Sequence, residues 1–275
     1  MENAILIQNE DGSLTAEVLP DYGGMIARLR VGGRDVLFLD ESLLVASPFL
    51  AGGIPILFPF AGKTKHDTYE IEGKKYIMPM HGLVKNRTFA VKGQSECAVT
   101  LWVNADDAIL SRNYPFFHTL EISYQMIMDA LIITAHIENQ SLQPMPHAIG
   151  WHPYFKVSYR KQTQFIHQMA IHYDYVHEKD LKAPEYIELD KDWDDVFCQP
   201  KISKYTLVNP PDGYEVRCKM DEAYKTIVVY TGKPGSVCIE PWCGIPDSIH
   251  NGRTLEWIPA GESRDYTLEY QLKAL

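Results

Sequence analysis

The sequence predicts an all-β protein, a large sandwich of many short strands with few short helices. Three observations carry that prediction. Apolar residues recur at every second position, turn residues punctuate the runs, and no window sustains a 3.6-residue period. Met25-Ile26-Ala27-Arg28-Leu29-Arg30-Val31 puts Met25, Ala27, Leu29 and Val31 on one face and both arginines on the other. Leu120 to Met126 and Leu131 to Ile137 alternate in the same way, with Asp129-Ala130 as the turn of an antiparallel hairpin. Leu14 to Leu19, Ala98 to Val103, Ile227 to Tyr230, Ser236 to Glu240 and Tyr266 to Leu272 are further strand candidates. Asp11-Gly12, Gly32-Gly33, Asn209-Pro210-Pro211-Asp212-Gly213 and Lys233-Pro234-Gly235 supply the turn chemistry between strands. Helical turns are expected only at Ala105 to Ser111 and at Glu178 to Leu181. No repeat or linker divides the chain, so residues 1–275 read as one domain.

Composition narrows the function classes. With 26 Lys+Arg against 36 Asp+Glu the net charge is −10, which opposes both nucleic acid and anionic membrane surfaces. Hydrophobic residues at 45% and charged residues at 23% belong to a folded globular chain rather than a disordered one. The first residues, Met1 to Asn9, have no basic run and too short an apolar one for an export signal, so a cytoplasmic protein is expected. Asn86-Arg87-Thr88 and Asn139-Gln140-Ser141 match glycosylation sequons, which mean nothing without export. Cys97, Cys198, Cys218, Cys238 and Cys243 form no C-x-x-C pair and read as reduced, mostly buried thiols. The ten histidines include no H-x-H or H-E-x-x-H pattern, so no metal is expected. His147 and His152, five apart, would face opposite ways on a single strand. Gly62-Lys63-Thr64 lacks the leading glycine of a phosphate loop, since Leu57 stands there. No Gly-rich dinucleotide fingerprint appears, which leaves nicotinamide and flavin chemistry without a motif.

Three clusters do not look like scaffolding. Gly52-Gly53-Ile54-Pro55-Ile56-Leu57-Phe58-Pro59-Phe60-Ala61-Gly62-Lys63 is apolar but twice interrupted by proline, which denies it central-strand status. With Met80-His81-Gly82 it reads either as an ordered loop under a site or as a buried connection with hydrophobic anchors. His147-Ala148-Ile149-Gly150-Trp151-His152-Pro153-Tyr154-Phe155 sets His152 among three aromatic rings at a strand end. Aromatic faces suit the C–H surface of a sugar; an aromatic core with a satisfied histidine is the plain alternative. In Val237-Cys238-Ile239-Glu240-Pro241-Trp242 a carboxylate closes an apolar strand, with Pro241 expected to stop the ladder after it. Glu240 is then either a functional carboxylate or an exposed strand-end residue.

Taken in order, these clusters resemble the aldose 1-epimerase (galactose mutarotase-like) superfamily, particularly its divergent bacterial branch. The resemblance rests on Gly52 to Gly62, His81-Gly82, Tyr114-Pro115-Phe116, and Asn139 with Pro144-Met145-Pro146. It continues through Gly150-Trp151-His152-Pro153-Tyr154-Phe155, Glu240-Pro241-Trp242 with Pro246-Asp247, and Pro259-Ala260-Gly261-Glu262-Ser263. It implies a single large antiparallel β-sandwich (a galactose mutarotase-like supersandwich) with a sugar site on a concave face. It also implies no metal, no organic cofactor, and a small-molecule sugar as partner. On it, His152 resembles the general acid, Glu240 the general base and His81 a second sugar-binding histidine. Asp194 resembles a hydroxyl-binding aspartate, with Asp195 an equal match, and Trp242 stands beside the base. Relatives usually offer arginine after the Pro-rich segment, whereas Lys63 stands there in this chain; a point charge replaces a bidentate fork. Monomer and homodimer are both compatible with the sequence.

Anomer interconversion opens the hemiacetal, rotates about C1–C2 and recloses, so it needs one base for the C1 hydroxyl and one acid for the ring oxygen, on opposite sides. Glutamate and histidine, with ordinary pKa values of about 4.3 and 6.5, are ionised and partly protonated at neutral pH. Two other enzyme readings stand beside this one. A glycoside hydrolase would use Glu240 and Asp194 as carboxylates about 5–9.5 Å apart and leave the histidine block idle. A hexose-6-phosphate epimerase would gather Lys63, Lys65, Lys85 and Arg87 around a phosphate; against the net negative charge, unphosphorylated sugars are favoured. A non-catalytic sugar-binding sandwich is the rival from outside the enzymes.

Overall fold

The computed structural model describes residues 3–44 and 50–275. Met1 and Glu2, at the start of the segment read for an export signal, lie outside the described residues. Two large antiparallel sheets face each other. One runs in the order Gln164–Ile166, Lys204–Asn209, Tyr214–Met220, Ser263–Ala274, Ala130–Asn139, His118–Ile127, Ala98–Asn104, Ala90–Gln94. The other runs Lys179–Lys182, Met169–Asp174, Asp194–Pro200, Thr226–Tyr230, Ser236–Trp242, Gly150–Trp151, Ile56–Leu57, with Tyr154–Lys156 also paired to Ser236–Trp242. A four-stranded sheet from Ile5–Gln8 to Arg34–Asp35 leads into them. This is the all-β antiparallel architecture that the alternation predicts, and among the described residues no helix is long and apolar enough to cross a membrane.

Alternation explains the core. Leu120, Ile122 and Tyr124 of the first sheet and Ile227, Val229, Val237 and Ile239 of the second are all at most 1% exposed and belong to one apolar cluster. At about 1.5–3 kcal/mol for each fully buried large apolar side chain, that cluster holds the sheets together. The second sheet also buries residues on its other face, where Leu57, Val196, Cys198, Val228 and Trp242 form a smaller cluster. A sheet apolar on both faces can carry a polar site on the side away from the main core.

Local expectations shift in four places. The hairpin pairs Ile127 with Ala130, so its turn is Met128-Asp129 rather than Asp129-Ala130, with Met128 at φ 52°. The helix near Ala105 to Ser111 is Ala108–Asn113, because the Asp107 side chain caps it by accepting from the amides of Ile109 and Leu110. Glu178 to Leu181 is not helical: Lys179–Lys182 is an edge strand paired with Met169–Asp174. Pro241 does not end its ladder, since Ser236–Trp242 runs through it.

Candidate active site

Strand register builds the site. Gly150 pairs with Trp242 and Tyr154 pairs with Cys238 across the same two strands. Counting inward from either pair puts His152 directly opposite Glu240. Pro153 and Pro241, which lack amide donors, fall in the unpaired interval between those pairs. Opposed residues of an antiparallel pair project from one face, so the register alone brings an imidazole and a carboxyl together. The observed separation is 3.4 Å between His152 Nε2 and Glu240 Oε1, with both residues at most 5% exposed. His147, expected on the opposite face of a shared strand, instead lies in Met145–His147 and bonds Tyr266 Oη through Nε2.

Around the pair, aromatic rings fix orientation. The His152 ring stacks on Tyr154 at 4.5 Å and 5°, and meets the edges of His81 at 5.2 Å and Tyr230 at 6.3 Å. Gly150 makes room for Trp242: a Cβ there would lie 2.5 Å from Trp242 Cδ1. His81 sits in the left-handed region at φ 68° and donates from Nδ1 to the Ala61 carbonyl at 3.0 Å. That leaves its Nε2 as an acceptor. Ala61 belongs to the Pro-rich segment, which is buried from Ala51 to Gly62 and also pairs Ile56 with Trp151. The segment is therefore both a buried connection and the support of His81.

Burial dominates the electrostatics. It pushes the Glu240 carboxyl well up, reinforced by the nearby charge of Asp194, while the indole N–H of Trp242 works the other way without forming a hydrogen bond. It pushes His152 well down, helped by His81 and by the charge of Lys85. His81 falls to about 4 for the same first reason. Both members of the pair are thus driven toward their neutral forms, away from the ionised glutamate and partly protonated histidine of model peptides. His152 Nδ1, Glu240 Oε2 and Trp242 Nε1 are buried with no hydrogen-bond partner among the described residues. Native proteins rarely leave such groups unsatisfied, so these three atoms are free to take polar partners.

The remaining sequence-predicted residues separate. Asp194 pairs with Tyr230, and Tyr230 with Cys238, so its side chain shares the face of Glu240. Asp195 pairs with Val229, which faces the main core, and its carboxylate bonds His172 Nε2 at 2.6 Å. The register therefore separates two neighbours that the sequence leaves equal. Lys63 is exposed, and among the described residues its ammonium has no hydrogen bond or ion pair; its carbonyl accepts from the Asp247 amide. The cation whose charge reaches His81 and His152 is Lys85, half-buried, with Nζ donating to the Met80 carbonyl at 3.2 Å. Tyr154, Tyr230 and Cys238 also belong to this face. The i, i+2, i+4 spacing of Cys238, Glu240 and Trp242 was the available signal for Cys238. A cleft of about 1440 Å³, lined by Arg160, Phe165, His167, Lys182, Tyr186 and Lys201 among others, includes neither His152 nor Glu240.

Known proteins share this architecture. A protein named Slr1438 from Synechocystis superimposes with a TM-score of 0.91 at 25% identity, over 99% of this chain and 96% of that one. A galactose mutarotase-like protein from Lactobacillus casei gives 0.85 at 20% identity, over 98% and 100%. LacX from Lactococcus lactis, plasmid-encoded, is 23% identical across 78% of this chain and 82% of its own. The fold is that of the galactose mutarotases, and the sequence matches the family described as Aldose 1-epimerase over residues 4–271. From its first strand to its last, then, the chain belongs to the aldose 1-epimerase family.

Proposed function

We propose that the protein is an aldose 1-epimerase, a mutarotase that interconverts the α and β anomers of an unphosphorylated aldose. The observation that supports this best is the buried His152–Glu240 pair at 3.4 Å, each with a second atom that has no hydrogen-bond partner among the described residues. The C1 hydroxyl oxygen and the ring oxygen are bonded to the same carbon. From sequence, acid and base are expected on opposite sides of the sugar, but because the two oxygens share one carbon, a register-opposed pair on one side can serve both.

The pair works with one shared proton. With the proton on His152, Glu240 takes the C1 hydroxyl proton while His152 protonates the ring oxygen and the C1–O5 bond opens. The pair is then left in its neutral form, Glu240 protonated and His152 not. Rotation about C1–C2 and reversal of both transfers close the ring on the other face. Burial favours the neutral form in the free site, so the bound sugar has to favour the charged form. A sugar hydroxyl donating to Glu240 Oε2 does that, because hydrogen bonds to a carboxylate stabilise it. No redox step occurs.

The pH dependence follows from the directions of the shifts. At ordinary values of about 4.3 and 6.5 the singly protonated pair would persist only between them. With His152 lowered and Glu240 raised, a second proton enters only well below the ordinary imidazole value, and the shared proton leaves only well above the ordinary carboxyl value. The profile of kcat/KM is expected to fall on both sides of a plateau with unit slopes, each limb belonging to the pair as a whole. Infrared difference spectra of the free protein are expected to show a protonated carboxyl stretch at neutral pH that Glu240→Gln removes. An unchanged spectrum in that variant would place the proton elsewhere.

Asp194→Asn is expected to raise KM about 10- to 100-fold, as loss of a hydrogen bond to a charged group does. Removing its negative charge also eases ionisation of Glu240, so the alkaline limb is expected to move to lower pH. An Asp194→Asn enzyme with unaltered KM and profile would remove Asp194 from the site. The direct test of the activity is anomer exchange of freshly dissolved α-sugars, followed by polarimetry or NMR, across glucose, galactose, arabinose, fucose and glucose 6-phosphate. Saturable sugar binding by calorimetry with no acceleration on any of them would make the protein a binding relative instead.

A further inference from the structure

Cys238 lies two residues before Glu240, on the same face of its strand and opposite Tyr154. One donor atom each of His152, Cys238 and Glu240 lies within 4.8 Å of the others, and all three residues are at most 5% exposed. Imidazole nitrogen, thiolate sulfur and carboxylate oxygen are the donors that zinc takes in proteins, at about 2.0–2.3 Å from the ion. The 3.4 Å between His152 Nε2 and Glu240 Oε1 already suits two vertices of a tetrahedron around one such ion. Closing on it gives up the 3.5 Å hydrogen bond between Tyr154 Oη and His152 Nε2, while Glu240 Oε2 has no hydrogen-bond partner among the described residues. The Cys238 thiol is buried and in no disulfide.

We propose that His152, Cys238 and Glu240 form an inhibitory zinc site, with the fourth position of the tetrahedron left to water. Coordination takes the thiolate, the carboxylate and the neutral imidazole. The thiol proton and the proton shared by the pair pass to the buffer, and no oxidation state changes. Two side chains coordinated to zinc cannot exchange protons with a sugar, so occupancy and anomerisation exclude each other. The inhibition rests on the acid–base reading of the pair; the binding does not.

Metal-stripped protein dialysed against Zn²⁺ is expected to retain one equivalent per chain, released by EDTA. Co²⁺ in its place is expected to give thiolate-to-metal charge-transfer absorption in the near ultraviolet. Cys238→Ala is expected to abolish that absorption and weaken zinc at least about 100-fold, beyond the usual cost of losing an outer-shell group. Cys218→Ala, a buried thiol of the opposite sheet, is expected to change neither. Wild-type protein without the absorption overturns the proposal before any variant is made, and zinc binding that survives Cys238→Ala overturns it as well. Zinc bound through Cys238 with undiminished anomer exchange would overturn the inhibition. Zinc bound there by a chain whose metal-free form exchanges no anomers would keep the site and overturn the acid–base reading.

Discussion

Glu240→Gln is expected to slow anomer exchange on the true substrate by about 100- to 10,000-fold, the range a positioned general base or acid contributes. Glutamine keeps the size and the register of the side chain, opposite His152 and beside Trp242, but its amide cannot take or return a proton. His152→Ala is expected to cost a comparable factor. The double variant is expected to lose little more than either single one, because each residue is one end of the same proton exchange. Losses that multiply would show two independent contributions and break the shared-proton mechanism. A Glu240→Gln enzyme with wild-type turnover would remove Glu240 from it altogether.

Gly82→Ala is expected to destabilise the fold by about 2–5 kcal/mol and to lower the unfolding midpoint by roughly 5–15 °C. Two costs combine there. Gly82 has φ +76°, and a Cβ would lie 2.2 Å from the Phe58 carbonyl oxygen, which accepts the Leu83 amide at 2.7 Å. Relief has to move either the Pro-rich segment or His81, and both lead to the site, so exchange is expected to fall as well. Gly73→Ala separates the two costs. Gly73 has nearly the same φ, +75°, with no atom of the described residues within 4 Å of the added atom, so only the conformational cost of about 1–2 kcal/mol remains. Equal midpoints for the two variants would show that the close approach at Phe58 carries no weight.

Much of the fold is legible because alternation is a local signal. Leu14–Leu19 has the bounds that its apolar pattern gives. Lys179–Lys182 is illegible for the opposite reason: Lys-Asp-Leu-Lys has no buried side chain, and its extended state comes from pairing with Met169–Asp174. The Met128-Asp129 turn shows the limit between those cases, since period two marks the strands but not which residue takes positive φ. His152, Glu240, Trp242 and His81 stand in sequence clusters that draw attention on composition alone. What the sequence withholds is relation. Whether Asp194 or Asp195 faces Glu240 depends on pairing with Tyr230 and Val229, more than thirty positions away, and Lys85 reaches His152 only through the folded path of the His81-Gly82 turn.

The interval between Gly150 and Tyr154 is as long as the interval between Cys238 and Trp242, and that equality is what lines up the pair. Loss or gain of a single residue in either interval would shift the pairing by one and turn one partner's side chain toward the core. The site is thus written partly in lengths. Exchanging the flanking residues for others of similar size leaves the alignment intact, whereas a frame-preserving three-nucleotide deletion between Gly150 and Tyr154 would separate acid from base while keeping both in the chain.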